Sequence, residues 1–359
     1  MRIAILWTGL SGYLNACLRE LAAIDGADLF LAHFIKSPEA PYGDNMFSWV
    51  KNKYEFSYGD NQKIKKELLE KLAAFRPDAI LVSSWHIPAY RFVLKKLAGG
   101  AVRILCMDNP WRGTLKQYLG VISSPWHLLP LYDAVFLPGE RQAVLAKKLG
   151  FKEANILYGL YSCDHPHFAS VYHHRIETKV LPRAFIYVGR FRQEKGIGIL
   201  ARAYRKYRAE VPDPWPLICC GAGELETALI SLEGVEFKGF VQPDDLPARF
   251  ATASCLILPS TLEQWGLVIH EAAAAGLAII CSSICGAAAH LVQDGYNGFL
   301  VEAGNVTDLA RAMKRYSDLS EARRLEMARN SHNLSQQFTP RRWAVTLYEK
   351  INELRQQLG

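Results

Sequence analysis

Short apolar runs alternate with helical patterns along nearly the whole chain, and after residue 182 the alternation starts over. In the first half the runs are 2–6, 28–33, 79–83, 102–106, 134–137 and 155–157. In the second they are 184–188, 217–220, 235–238, 255–258, 278–281 and 298–301. Continuous apolar runs of this kind suit strands of a parallel sheet, because helices cover both faces. The alternation predicts an α/β protein with two doubly wound sheets, alike in architecture but not sequence repeats. With 359 residues the chain can hold two separate cores. The domains read as 1–165, a linker over 166–182 where no clean period is visible, and 183–337. An amphipathic segment follows over 338–359, with Trp343, Leu347, Ile351 and Leu354 on one helix face.

Several classes are excluded. No apolar run approaches the ~20 residues that span a bilayer. The first apolar run, IAILW, is too short for a secretory signal, so a cytoplasmic protein is expected. Eight cysteines occur without a C-x-x-C pair or Cys/His spacing for zinc, and several lie in strand patterns as small hydrophobes. Four histidines at 165, 167, 173 and 174 have no supporting carboxylate or thiol pattern, so no metal is expected. Net charge is +7, carried by residues 1–180 with 22 basic and 16 acidic side chains against 20 and 19 in the rest. That excess either meets anionic lipid headgroups, as a peripheral contact at the inner membrane face, or is simply solvated. No dense basic cluster supports nucleic-acid binding. A long irregular stretch over 36–61 holds Tyr42, Phe47, Trp49, Lys51, Lys53, Tyr54 and Phe56. It reads either as an acceptor- or membrane-contacting loop or as a loop with its own small core.

Ligands of open α/β sheets collect outside the carboxyl ends of strands. The most suggestive such end is PSTLEQWGLVIHEAAAAG, residues 259–276. A helix is expected to open near Gly266 and stop at Gly276, leaving Glu263 in the loop and Glu271 in the helix. Helix-start amides attract anions, and carboxylates accept hydrogen bonds from sugar hydroxyls. The combination suits a nucleotide sugar. Arg190 and Lys195 follow another strand end, where they read as a diphosphate clamp or as a solvated helix-start cluster beside Glu194. Gly9 and Gly12 form a G-x-x-G turn that either lets a ligand approach or is a plain tight turn. His86 ends a strand, as a group for donor contact and proton transfer or as an ordinary hydrogen-bonded histidine.

The run VGRFRQEKG, CGAGE, KGFV, LPSTLEQWGLVIHEAAAAG, DGYNGFLV and GNVTDLARAM, spread over residues 183–316, resembles glycosyltransferase family 4. The first half is similar more loosely, through the Gly9/Gly12 turn and YGLYSCD ending at Asp164. The resemblance implies a GT-B fold: two Rossmann-like domains facing a cleft, with a C-terminal helix returning to the first domain. It implies a retaining hexosyltransferase (EC 2.4) that moves sugar from a UDP- or GDP-type donor to a glycan or lipid-linked acceptor in polysaccharide biosynthesis. The mechanism would be front-face, with no cofactor and no metal; no D-x-D occurs. Residue by residue, Arg190 and Lys195 would hold the diphosphate, Glu271 the ribose, and Glu263 the transferred sugar. Backbone over Gln264, Trp265, Gly266 and Leu267 would face sugar and phosphate. Phe240 and Val241 would lie beside the base, and Gly189, Gly221, Gly9 and Gly12 would let backbone close on the donor. Trp265 replaces the usual Phe or Tyr, which would narrow the sugar pocket. Rival readings are a non-catalytic nucleotide-sugar or glycan-binding protein, and a GT-B epimerase or phosphorylase. A nicotinamide-dependent oxidoreductase shares the fold class but lacks G-x-G-x-x-G after the first strand.

Overall fold

The computed structural model describes residues 1–34, 44–57, 59, 61–97 and 99–358. Two compact units divide the chain: Met1–Ser162 with Pro340–Gly359, and Cys163–Thr339.

The first unit is built on strands β1 (Arg2–Leu6), β2 (Asp28–Phe34), β3 (Asn52–Phe56), β4 (Ala79–Val82), β5 (Val102–Cys106), β6 (Ala134–Leu137) and β7 (Ile156–Tyr158). They pair in the order β3-β2-β1-β4-β5-β6-β7, all parallel. The chain direction of sheet growth reverses between β1 and β4, which is the unit's topological switch point. Side chains on the two faces feed two cores. One gathers Ala4, Leu6, Ile80, Tyr90 and Val93; the other gathers Ile3, Ile5, Leu18, Phe136 and Trp343.

The second core explains why residues after 339 belong here. Helix Pro340–Leu358 lays Trp343, Ala344, Leu347, Ile351 and Leu354 against Leu14, Leu18 and Leu21 of helix Gly12–Ala22. The Trp343 indole stacks on Phe136 at 5.9 Å, and its N–H donates to the Leu160 carbonyl at 2.9 Å. The ring is therefore buried with its one polar atom satisfied.

The described part of the stretch 36–61 is less irregular than its composition implies. Residues 35–43, 58 and 60, Tyr42 among them, lie outside the described residues. Beyond them β3 pairs with β2 as an edge strand, and Phe47 and Phe56 are buried. Trp49 donates to Asn15 Oδ1 at 2.8 Å with the Arg19 guanidinium over its ring. These aromatics pack inward, which favours the small-core alternative for the part described.

The second unit carries β8 (Phe185–Val188), β9 (Leu217–Cys220), β10 (Val235–Gly239), β11 (Cys255–Leu258), β12 (Ala278–Ser282) and β13 (Gly298–Val301). Their order is β10-β9-β8-β11-β12-β13, again all parallel, with the reversal between β8 and β11. Counted from β8, this is the 3-2-1-4-5-6 order of dinucleotide-binding folds.

The expected linker 166–182 is instead mostly helix. Residues His165–Thr178 form a helix packed in the second unit against helices Leu267–Ala274 and Glu321–Ser335. Its periodicity is hidden because its inward face carries His165 and Arg175 among Phe168, Ala169 and Val171. The Arg175 guanidinium donates to the carbonyls of Phe250 (2.5 Å) and Ala253 (2.6 Å), so a buried cation closes the end of helix Leu246–Phe250. No described helix is long and apolar enough to cross a membrane.

Candidate functional site

The loops after β8, β9, β11 and β12 meet at the carboxyl edge of the second sheet, and glycines decide how closely. Gly196 has φ +73°, and a Cβ there would sit 2.1 Å from the Pro259 carbonyl oxygen. A Cβ on Gly221 would fall 1.9 Å from the Gly189 carbonyl oxygen. Only glycine permits these approaches. Hydrogen bonds then lock the loops together. The amides of Thr261 (2.8 Å) and Leu262 (3.1 Å) both donate to the Glu194 carbonyl, and the Phe191 amide donates to Ala222 at 2.9 Å. On the far side the Ala287 amide donates to the Trp265 carbonyl at 2.8 Å.

This stapling brings Lys195 and Glu263 together. The Lys195 Nζ lies 2.5 Å from Glu263 Oε2, with side chains only 17% and 10% exposed. Ser260 Oγ donates to the same oxygen at 3.2 Å. The two charges attract more strongly in this sheltered setting than at an open surface, and each depends on the other to offset its desolvation. Arg190 leaves the end of β8 with an exposed side chain, and its carbonyl accepts from the buried Tyr187 hydroxyl at 2.8 Å.

Gly266, at φ +91°, turns the chain into helix Leu267–Ala274, placing the helix start beside Glu263. Glu271 sits just over a turn in, half-buried. Among the described residues no hydrogen-bond donor reaches its carboxylate. Burial without a partner raises its pKa from the ordinary 4.5 to about 7.

The neighbouring His270 is fully buried and has the opposite shift. The Cys163 amide donates to its Nδ1 at 3.2 Å, and its Nε2 lies 3.2 Å from the Ser335 carbonyl. One neutral tautomer, protonated on Nε2, satisfies both bonds. Burial, reinforced by His165, lowers the pKa to about 3. His165 is lowered to about 4 by burial and by His332 and His173, and bonds Ser335 Oγ at 2.9 Å. The sequence does not single out His270; its place between Glu271 and the apolar Leu267–Ile269 run gives no signal of these partners.

Gln264 is half-buried and Leu267 half-buried at the helix start. Trp265 does not present its ring as a pocket wall: it is 3% exposed and packs edge-on against Phe338 (5.8 Å) and near His290 (5.8 Å). Its Nε1 is buried without a partner among the described residues. The backbone of 264–266, not the indole, faces the loops. Gly239 (φ +67°) ends β10, leaving Phe240 37% exposed and Val241 half-buried after it. In the first unit Gly9 and Gly12 follow β1 while His86 follows β4, so all three stand at that sheet's own switch point. His86 is exposed, with Nδ1 3.1 Å from Ser84 Oγ. Tyr161, in the same unit, donates to Asp108 Oδ2 at 3.0 Å and meets Tyr13 edge-on at 5.2 Å. Among the described residues no cluster of three or more His, Cys, Asp or Glu could hold a metal.

Two parallel doubly wound units with this loop cluster define a GT-B protein. Solved structures agree over nearly the whole chain. HepE of Anabaena in complex with UDP and glucose superposes with a TM-score of 0.72 at 16% identity, covering 98% of each chain. An E. coli structure described as trehalose-6-phosphate bound with UDP-2-fluoro glucose gives 0.75 at 12% identity, covering 98% of this chain and 99% of that one. Residues 173–333 match the model of glycosyl transferases group 1. The D-inositol 3-phosphate glycosyltransferase of Corynebacterium aurimucosum is 30% identical over 189 residues, 49% of this chain and 43% of that protein. The glycogen synthase of Mycobacterium tuberculosis is 32% identical over 144 residues, 38% of this chain and 34% of that protein. The matches thus span less than half the length of these curated relatives.

Proposed function

We propose that the chain is a retaining glycosyltransferase that moves a hexose-type sugar from a nucleotide diphosphate sugar to a glycan or lipid-linked saccharide acceptor, without a metal. The carrying observation is the sheltered Lys195–Glu263 pair beside the start of helix Leu267–Ala274, with the unpartnered Glu271 one turn on. Phosphate needs cations and amides; sugar needs carboxylates. This loop cluster has both within one hydrogen-bonded frame.

In this reading the donor diphosphate lies across the helix start, where amides and the positive helix end favour it. Lys195 and Arg190 neutralise the charge that grows on the leaving diphosphate as the glycosidic bond breaks. A phosphate reaching Lys195 competes with Glu263, and the carboxylate so released is placed to accept bonds from sugar hydroxyls. Glu271 takes the ribose hydroxyls, which supply the donors its carboxylate lacks. Phe240 and Val241 offer an apolar edge to the base. The acceptor hydroxyl attacks from the leaving-group face, the phosphate oxygen takes its proton, and configuration is retained; catalysis is positioning and charge stabilisation. Gly9, Gly12 and His86, at the first unit's switch point, are assigned to that unit's share of substrate binding. The UDP and UDP-sugar named for the solved structures support a UDP-type donor ahead of GDP. The eight buried free cysteines fit a reducing compartment such as the cytoplasm.

The test is a melting screen against UDP, GDP, ADP and their sugars, followed by product analysis with and without EDTA. A donor-specific rise in melting temperature and an anomer-retained product that survives EDTA support the reading. No shift with any nucleotide diphosphate, or activity abolished by EDTA and restored by a divalent cation, would overturn it.

A further inference from the structure

Helix Leu115–His127 in the first unit is inside out. Its single fully buried residue is Ser124, whose hydroxyl donates to the Leu149 carbonyl at 2.7 Å. Its large apolar side chains point the other way: Leu115 is 76% exposed, Tyr118 53%, Leu119 58%, Ile122 65% and Trp126 77%. At the α-helical repeat these five fall within an arc of about 100°, opposite Ser124. Single exposed hydrophobes are ordinary; a contiguous ridge of five is not. The next helix, Glu140–Leu149, carries a further exposed apolar side chain, Val144, 47% exposed.

The rim of this ridge is positive. No acidic residue occurs from Asn109 to Tyr132, while Arg112 and Lys116 are both exposed. Lys148 lies 4.8 Å over the Trp111 ring, which itself meets Tyr118 edge-on at 4.9 Å. Tyrosine and tryptophan beside lysine and arginine around an aliphatic ridge form the surface that lies flat in a lipid headgroup layer.

We infer that helix Leu115–His127 seats the protein on an anionic lipid bilayer, with Leu119, Ile122 and Trp126 entering the acyl boundary and Arg112, Lys116 and Lys148 meeting the headgroups. The alternative occupant, a second copy of the chain, is disfavoured by charge. A twofold contact through this ridge sets its positive rim against itself, with no acid on the helix to balance it. The inference does not rest on the transferase reading. It places the membrane contact on this helix and not on the described part of 36–61, whose aromatics pack inward.

The test is co-sedimentation of the full chain with phosphatidylcholine vesicles, with or without about one-third phosphatidylglycerol. The expected result is about tenfold more protein pelleted with the anionic vesicles, weakening as salt rises. The double variant Leu119→Glu/Ile122→Glu should lose this binding while its circular dichroism and melting temperature stay put, since both side chains are exposed. If that pair disturbs melting, Leu119→Ser/Ile122→Ser replaces it. Wild-type protein left in the supernatant overturns the inference, as does a variant that still pellets. A wild-type dimer in light scattering that the double variant turns into monomer, with vesicle binding unaltered, assigns the ridge to self-association instead.

Discussion

Lys195 and Glu263 stand 68 positions apart in sequence, yet their charged atoms are 2.5 Å apart. What joins them is not the pair itself but the backbone: the Glu194 carbonyl accepts two amides from the 261–262 turn, and Gly196 lets Pro259 come within contact. The ion pair is thus imposed by the loops of β8 and β11 meeting at the switch point. Lys195→Ala is expected to lower kcat by about 100-fold, the size typical of losing one preorganised charge-stabilising group. Donor affinity should change much less if Lys195 clamps the diphosphate as proposed, because such a clamp acts most strongly at bond breaking. Steady-state kinetics with calorimetric donor binding decide this: a change confined to KM counts against the clamp. Arg190→Ala should behave in the same way.

Glu271 gives a pH signature. Its folded-state pKa is raised to about 7, above the unfolded value near 4.5. Between these values the folded protein holds a proton the unfolded chain has released, so this group's contribution to stability falls as pH rises from about 4.5 to 7 and is flat beyond. Donor binding should run the other way. If ribose hydroxyls bond the ionised carboxylate, affinity for a nucleotide sugar, whose phosphates do not titrate here, rises as pH passes 7. Glu271→Gln should flatten that rise and weaken binding roughly 10- to 100-fold, the value of a charged hydrogen bond. Calorimetry at pH 6 and 8 separates the outcomes; equal affinity of variant and wild type at pH 8 refutes the ribose role.

His270 predicts the opposite slope from the adjacent position. Its pKa is lowered to about 3 and that of His165 to about 4, both chiefly by burial. The unfolded chain takes up protons near pH 6.5 while the folded protein does not, so stability is full above that pH and is lost on acidification toward 4. Melting temperature should therefore fall from pH 7 to 5. His270→Gln, which can keep one of the two backbone bonds, should lower stability at pH 7 and reduce the slope. An unchanged slope in that variant would show the acid sensitivity arises elsewhere.

Trp343→Ala should remove about 3–5 kcal/mol from the first unit, the cost of emptying a large aromatic site. The lost indole bond to Leu160 adds to it. Denaturant unfolding followed by fluorescence and circular dichroism should show an early transition for this unit, with the second unit's transition in place. A single unshifted transition would mean that the helix Pro340–Leu358 contributes little.

Legibility followed burial chemistry. The strands β9, β11 and β13 fall where unbroken apolar runs predict them, because a strand covered on both faces has only one pattern available. The edge strand β3, NKYEF, was invisible because it alternates polar and apolar residues with one exposed edge. Helix Glu321–Ser335 also gave no periodic signal. Its inward face is largely polar: Asn330, Ser331, His332 and Ser335 are buried, with Asn330 donating to Tyr296 and Ser331 bonding Asn297. Where a core is made of hydrogen bonds, hydrophobic periodicity has nothing to report. At the site, residue types and spacing pointed to Lys195, Glu263 and Glu271. The burial of Trp265 was not legible, since nothing local distinguishes an indole lining a pocket from one buried beneath it.

The chain passes between its two units twice, at Ser162–Cys163 and at Thr339–Pro340. During synthesis the second unit therefore has all of its residues before the first does. The first unit, begun with residue 1, waits for residues 340–358 before one face of its sheet can be fully covered. A nascent chain stalled anywhere in between presents the apolar groove meant for Trp343 and Leu347 to its surroundings, making that interval the stage at which a chaperone would be needed.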